Sequence, residues 1–94
     1  ELIMSDGWFL YVLECEGGSL YTGIAVNVEK RFALHVAGKG AKYTRSRKPL
    51  RILAVQGFSD RSSALRAEYA LKQLTPTEKL AFCASYPYGR TISE

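Results

Sequence analysis

The chain opens its patterned part with Trp8-Phe9-Leu10-Tyr11-Val12-Leu13, six aromatic or aliphatic residues in a row, which predicts a strand. Glu16-Gly17-Gly18 reads as a turn and Ser19 to Ile24 as a second strand, so the two form a β-hairpin. Asn27 suits a helix N-cap and Gly38 the left-handed position after its end, giving a helix to about Ala37. At about 100° per residue, Val28, Phe32 and Val36 fall in one stripe about 80° wide, the expected core face. Residues 38 to 49 read as loop. Leu50 to Phe58 is a third strand, in which Leu50, Ile52 and Ala54 alternate only loosely with Arg51 and Leu53, so both faces are expected to be partly covered. Ser59 or Asp60 caps a second helix to about Leu74, with Ala64, Ala67, Leu71 and Leu74 as its apolar stripe. Thr75-Pro76-Thr77-Glu78 then places Thr at N-cap, Pro at N1 and Glu at N3, a capping box that opens a third helix. The order β-β-α-β-α-α predicts an α+β fold: a three-stranded antiparallel sheet flanked by helices.

At 94 residues the chain is the size of one domain, with a core expected over about residues 8–83. Apolar residues at 47% and charged residues at 23% argue against disorder. The net charge of +4 leans toward an anionic partner. Its distribution says more: Lys39, Lys42, Arg45, Arg47, Lys48 and Arg51 fall in one segment without an acid. That run interleaves with Tyr43, which suits phosphate contacts and a stacking aromatic, although a solvated surface is the plainer reading of cations alone. Cys15 and Cys83 lack metal-ligand spacing and read as free thiols in a reducing cytoplasm. No apolar run approaches the roughly 20 residues of a membrane span. Residues 1–6 and 87–94 read as frayed ends.

Three helical positions break the amphipathic pattern. With Val28 at zero, Arg31 lies at about 300° and His35 at about 340°, so both flank the core stripe and neighbour each other at i,i+4. Glu68 lies at the edge of the later helix's stripe, where a lone carboxylate needs a partner: a metal, Arg31 or a tyrosine hydroxyl. A snorkelling arginine, a boundary histidine and packing tyrosines are the unremarkable alternatives.

Phe9-Leu10-Tyr11, Tyr21-Thr22-Gly23, Arg31 with His35, and Glu68 together resemble the signature of the GIY-YIG nuclease superfamily. Gly38-Lys39-Gly40-Ala41-Lys42-Tyr43-Thr44 further resembles its short, single-domain YhbQ-like bacterial subgroup. The first motif's glycine and isoleucine are here Phe9 and Leu10. The late asparagine of some homing endonucleases has no counterpart, since Asn27 is the only asparagine. The resemblance implies an endonuclease that hydrolyses phosphodiester bonds in DNA, with RNA left open, linked to repair or recombination and selective for structure rather than base sequence. It implies one Mg²⁺ or Mn²⁺ ion on Glu68, weak without nucleic acid. With one His and no acidic cluster, a two-metal carboxylate site is hard to build, whereas a one-metal site with a tyrosine base is available. On this reading Tyr11 is the general base and Tyr21 its partner, with the roles exchangeable. Arg31 clamps the phosphate, His35 supports a tyrosine or the phosphate, and Gly23 completes the second motif. Lys39, Lys42, Tyr43, Arg45, Arg47 and Lys48 contact nucleic acid, and Tyr43-Thr44 reach toward the site. No obligate protein partner and no membrane are implied. The alternative is a non-catalytic nucleic-acid-binding module with the same fold.

Two physical conditions follow. Lowering a tyrosine pKa from about 10 to about 7 takes roughly 4 kcal/mol, expected from Arg31, a cationic His35 and the metal. Both hydroxyls must also leave one sheet face. A three-residue loop closing Cys15 on Ser19, with Gly18 left-handed, sets Leu13 opposite Tyr21 and Tyr11 diagonal to it, whereas a two-residue loop sends Tyr21 to the other face.

Overall fold

Turn geometry decides the first element pair. The computed structural model describes residues 7–88. In it β1 (Trp8–Cys15) pairs antiparallel with β2 (Leu20–Ala25) on one side and with β3 (Pro49–Phe58) on the other, giving the order β2-β1-β3. Glu16–Gly18 forms a single 3-10 turn. Gly17 shares with Gly18 a φ of 79°, a left-handed value that glycine adopts without a Cβ penalty. The Cys15 N–H donates to the Ser19 carbonyl at 2.8 Å, so the loop has three residues. Leu13 therefore lies opposite Tyr21 and Tyr11 opposite Gly23, which puts both tyrosines on one face.

β1 is the central strand, and its unbroken apolar run serves two cores. Tyr11, Leu13 and Cys15 join Ala25, Val28, Phe32, Ile52 and Val55 on one face. Leu10 and Val12 join Ala54, Leu71 and Cys83 on the other. Each fully buried aliphatic side chain contributes about 1.5–3 kcal/mol of transfer free energy. Cys15 and Cys83 are free, buried and on opposite sides of the sheet.

β3 explains its own loose pattern. Val12 faces Ala54 while Leu13 faces Ile52, and Glu14 faces Arg51 while Cys15 faces Pro49. Leu53 and Leu50 are the extra residues of two bulges, each of which shifts the two-residue alternation. Ile52 and Ala54 consequently enter opposite cores, and Leu50 is exposed.

Four helices flank the sheet: α1 (Val28–Val36), α2 (Lys42–Ser46), α3 (Arg61–Lys72) and α4 (Pro76–Ser85). Asn27 caps α1 by accepting from the Lys30 N–H, and Asp60 caps α3 by accepting from the Ser63 N–H. Both arms of the Thr75/Glu78 capping box are made. The expected α1 stripe is rotated by roughly 40°: Val36 is 41% exposed, and His35, at 1%, takes the buried slot. The expected second helix ends at Lys72, so Leu74 lies past it and half-exposed, and the stripe reduces to Ala64, Ala67 and Leu71. The expected loop 38–49 contains α2. The expected fraying from residue 87 also fails for its first two residues. The Val55 N–H donates to Tyr86, and the Tyr88 N–H to Leu53, so this segment covers the free edge of β3. The rest of the expected frayed ends lies outside the described residues. Among the described residues, no helix is long and apolar enough to cross a membrane.

Candidate active site

β1, β2 and α1 converge on one phenol. The hydroxyl of Tyr11, on β1, lies 2.9 Å from His35 Nε2, in the last turn of α1, and the pair is buried. Gly23 sits opposite Tyr11 on β2, and a Cβ there would lie 2.6 Å from Tyr11 Oη and 2.8 Å from Cζ. The Tyr11 ring thus lies across space that only glycine leaves open. Gly23→Ala is expected to lower unfolding free energy by about 1–3 kcal/mol through overpacking. Urea melts check this, and a shifted His35 ring resonance would report the displaced phenol.

Tyr21 is half-buried and diagonal to Tyr11. Its ring centroid lies 6.3 Å from Tyr11, 5.0 Å from His35 and 5.8 Å from Tyr43. Arg31, one helical turn before His35, is half-buried. Burial raises the pKa of Tyr21; Lys72 and Arg31 pull it down while Glu68 pushes it up. Tyr11 is pushed up to about 12, by burial first and by Tyr21 and Glu68 in smaller part, with Arg31 opposing. Burial, then Arg31, lowers His35. The expected cationic His35 is therefore corrected: low-dielectric surroundings and a neighbouring guanidinium keep the ring neutral at pH 7. Ionising Tyr11 alone at pH 7 would cost about 7 kcal/mol, more than the sequence suggested. A neutral imidazole beside it offers a proton acceptor instead.

Glu68 projects from α3, and its charge reaches both tyrosines. Its carboxylate pairs with Lys72 Nζ at 3.3 Å, an i,i+4 contact, rather than with Arg31. No group of three or more His, Cys, Asp or Glu side chains suited to a metal forms among the described residues. A single carboxylate beside phenolic oxygens fits a hard cation that keeps most of its waters, as Mg²⁺ and Mn²⁺ do.

The basic segment leads directly from this site. Lys39, Lys42, Arg45, Arg47 and Lys48 are exposed. Tyr43, on α2, is 38% exposed, stacks toward Tyr21 and carries the Arg47 guanidinium 6.0 Å from its ring centre. Arg51 leaves the set because its Nε pairs with Glu14 Oε1 at 2.6 Å. With the other five cations of the segment on phosphates, log affinity is expected to fall against log salt with a slope of about −3.5 to −4.5, against −4 to −5 for six. A salt titration of binding measures it.

Three more residues complete the site: Thr44, expected only to reach toward it, and Gly40 and Lys72, for which sequence gave no expected role. Thr44 is 2% exposed, with Oγ1 2.7 Å from His35 Nδ1. A Cβ on Gly40 would lie 2.1 Å from the same nitrogen. Gly40 has no positive φ, so close approach rather than backbone conformation accounts for it. The third is Lys72, whose i,i+4 spacing from Glu68 was the available signal.

The family profile of the GIY-YIG catalytic domain matches residues 7–81. A UPF0213 protein of Cupriavidus pinatubonensis is 61% identical over 84 residues, covering 89% of this chain and 93% of its own length. One from Xanthomonas axonopodis pv. citri is 47% identical over 87 residues, covering 93% and 83%. Among solved structures, the solution NMR structure of a UPF0213 protein from Bacillus halodurans is 38% identical with a TM-score of 0.56, covering 88% of each chain. A second NMR structure, from E. faecalis, is 36% identical with a TM-score of 0.58, covering 84% of each. The profile spans the strands, helices and glycine that assemble around Tyr11, and the chain belongs to the GIY-YIG family.

Proposed function

We propose that this protein is a metal-dependent endonuclease that hydrolyses phosphodiester bonds in DNA, selecting structured or single-stranded forms rather than a base sequence. We place it in the cytoplasm, where Cys15 and Cys83 stay reduced, and in repair or recombination. The family is one of endonucleases, and the observation that carries the reading here is the buried Tyr11–His35 hydrogen bond set over Gly23. Tyr11 takes a proton from the attacking water as its own passes to His35 Nε2. The water oxygen bonds to phosphorus, the bridging P–O bond breaks, and the leaving oxygen takes a proton from solvent. Coupling the two transfers avoids a free phenolate, which burial disfavours. Tyr21 lines the solvent side, Arg31 offers paired donors to two phosphate oxygens, and Lys39, Lys42, Arg45, Arg47 and Lys48 with Tyr43 hold the flanking strand. Glu68 would hold the Mg²⁺ or Mn²⁺, which when bound supplies positive charge to the phosphate.

The second reading, a binding module without turnover, is favoured by one observation: Tyr11 is 1% exposed, with its phenol pushed up to about 12. A panel of duplex, nicked, branched and single-stranded DNA, incubated with Mg²⁺ or Mn²⁺, decides between them. Cleavage is expected from the wild type, with loss on chelation and in Glu68→Ala while binding persists. Binding by the wild type without a cut at any metal concentration replaces the first reading with the second.

A further inference from the structure

A single buried line of hydrogen bonds runs behind Tyr11. Tyr11 Oη lies 2.9 Å from His35 Nε2, His35 Nδ1 lies 2.7 Å from Thr44 Oγ1, and the Thr44 hydroxyl donates to the Ala41 carbonyl at 2.9 Å. A threonine hydroxyl has one hydrogen, and here it is used on Ala41. The short contact to His35 therefore needs its hydrogen on Nδ1, which leaves Nε2 bare. The reverse assignment puts a hydrogen on Nε2, aimed at Tyr11. The Tyr11 hydrogen would then have no acceptor among the described residues: Tyr11 Oη bonds to His35 Nε2, Arg31 only donates, and Tyr21 and Glu68 reach Tyr11 through charge without a hydrogen bond. One contact favours the reverse: the Ala41 N–H points at Nδ1 from 3.4 Å. That length is at the limit of a hydrogen bond, and the 2.7 Å contact outweighs it. Gly40 presses from above, since a Cβ there would lie 2.1 Å from Nδ1.

We propose that Thr44, anchored to the Ala41 carbonyl beside Gly40, is a positioning residue that fixes His35 as the Nδ1–H tautomer and presents a bare Nε2 to Tyr11. Histidine free in water prefers hydrogen on Nε2, so the site reverses the ordinary preference. The consequence for turnover is direct: with hydrogen on Nε2 the ring cannot receive the Tyr11 proton. Thr44 touches neither water nor phosphate on this reading, and it acts only through His35.

His35 is the only histidine in the chain, so its ring nitrogens can be observed without assignment ambiguity. Long-range ¹H–¹⁵N spectra of the metal-free protein at neutral pH are expected to show an unprotonated Nε2 and a protonated Nδ1. Thr44→Val is expected to move the ring to Nε2–H or to an averaged pair, and Thr44→Ser to restore it. In the cleavage assay, Thr44→Val should lower kcat about 10- to 100-fold at unchanged KM, with Thr44→Ser close to wild type. Only this rate comparison rests on the proposed nuclease reading; the tautomer is decided in protein that need not cut anything. A wild-type spectrum with hydrogen on Nε2 overturns the proposal, and so does a Thr44→Val spectrum identical to wild type. If the valine variant does not fold, the wild-type spectrum alone decides.

Discussion

Phenylalanine at position 11 is expected to lower kcat for metal-dependent cleavage about 10²- to 10⁴-fold, the range over which a positioned proton acceptor acts. DNA affinity should stay within about two-fold, because a group engaged only in the transition state does not bind the ground state. The substitution is well posed sterically, since a phenylalanine ring fills the same space across Gly23. It does strand His35 Nε2 without a partner, so a loss of about 1–3 kcal/mol in unfolding free energy accompanies it. Acid pH supplies a second signature. The folded state lowers the His35 pKa from 6.5, through burial and then Arg31, so the ring remains a neutral acceptor as pH falls through 6.5. The rate should hold across that value and fall only below it. The same shift stabilises the fold above the unfolded-state pKa, and that stability is lost as pH drops through the lower, folded value. A Tyr11→Phe enzyme cutting within about three-fold of wild type would reduce Tyr11 to packing.

The parts of this site that were legible beforehand are those governed by local periodicity. Strand alternation reduced the shared face of Tyr11 and Tyr21 to a choice of loop length, because a one-residue change in the turn inverts the answer, and the three-residue loop makes that choice. Helical spacing likewise paired Arg31 with His35. What escaped depended on tertiary contact. The rotation of α1 by roughly 40° follows from polar partners for His35, and an apolar wheel gives a histidine no weight. The two bulges of β3 leave no mark in sequence beyond a spoiled alternation at Leu50 and Leu53. α2 is five residues long, too short for periodicity to declare, and it carries Thr44 into the core of the site. The charge state of His35 was misjudged for the same reason: its burial cannot be read from the residues beside it.

Arg31→Ala is expected to lower kcat/KM about 10²- to 10³-fold, the scale on which preorganised donors stabilise transition-state charge. Arg31→Lys should recover little of it, because an ammonium keeps the charge but not the paired donors that match two phosphate oxygens. Position, not charge alone, gives Arg31 this weight. Its guanidinium acts at once on Tyr11 and Tyr21, whose pKa values it lowers, and on His35, which it keeps neutral. Removing it therefore changes three groups in a stated sense: both phenols become harder to ionise and His35 becomes easier to protonate. The last is measurable without a substrate, as an upward shift in the midpoint of the single histidine's titration. A snorkelling arginine at the edge of α1 makes the opposite forecast, with a small change in stability and both cleavage and the histidine midpoint unmoved. The two measurements also separate the roles of Arg31 from each other. A moved midpoint with intact cleavage would leave it as an electrostatic neighbour of the tyrosines, and lost cleavage with an unmoved midpoint would confine it to the phosphate.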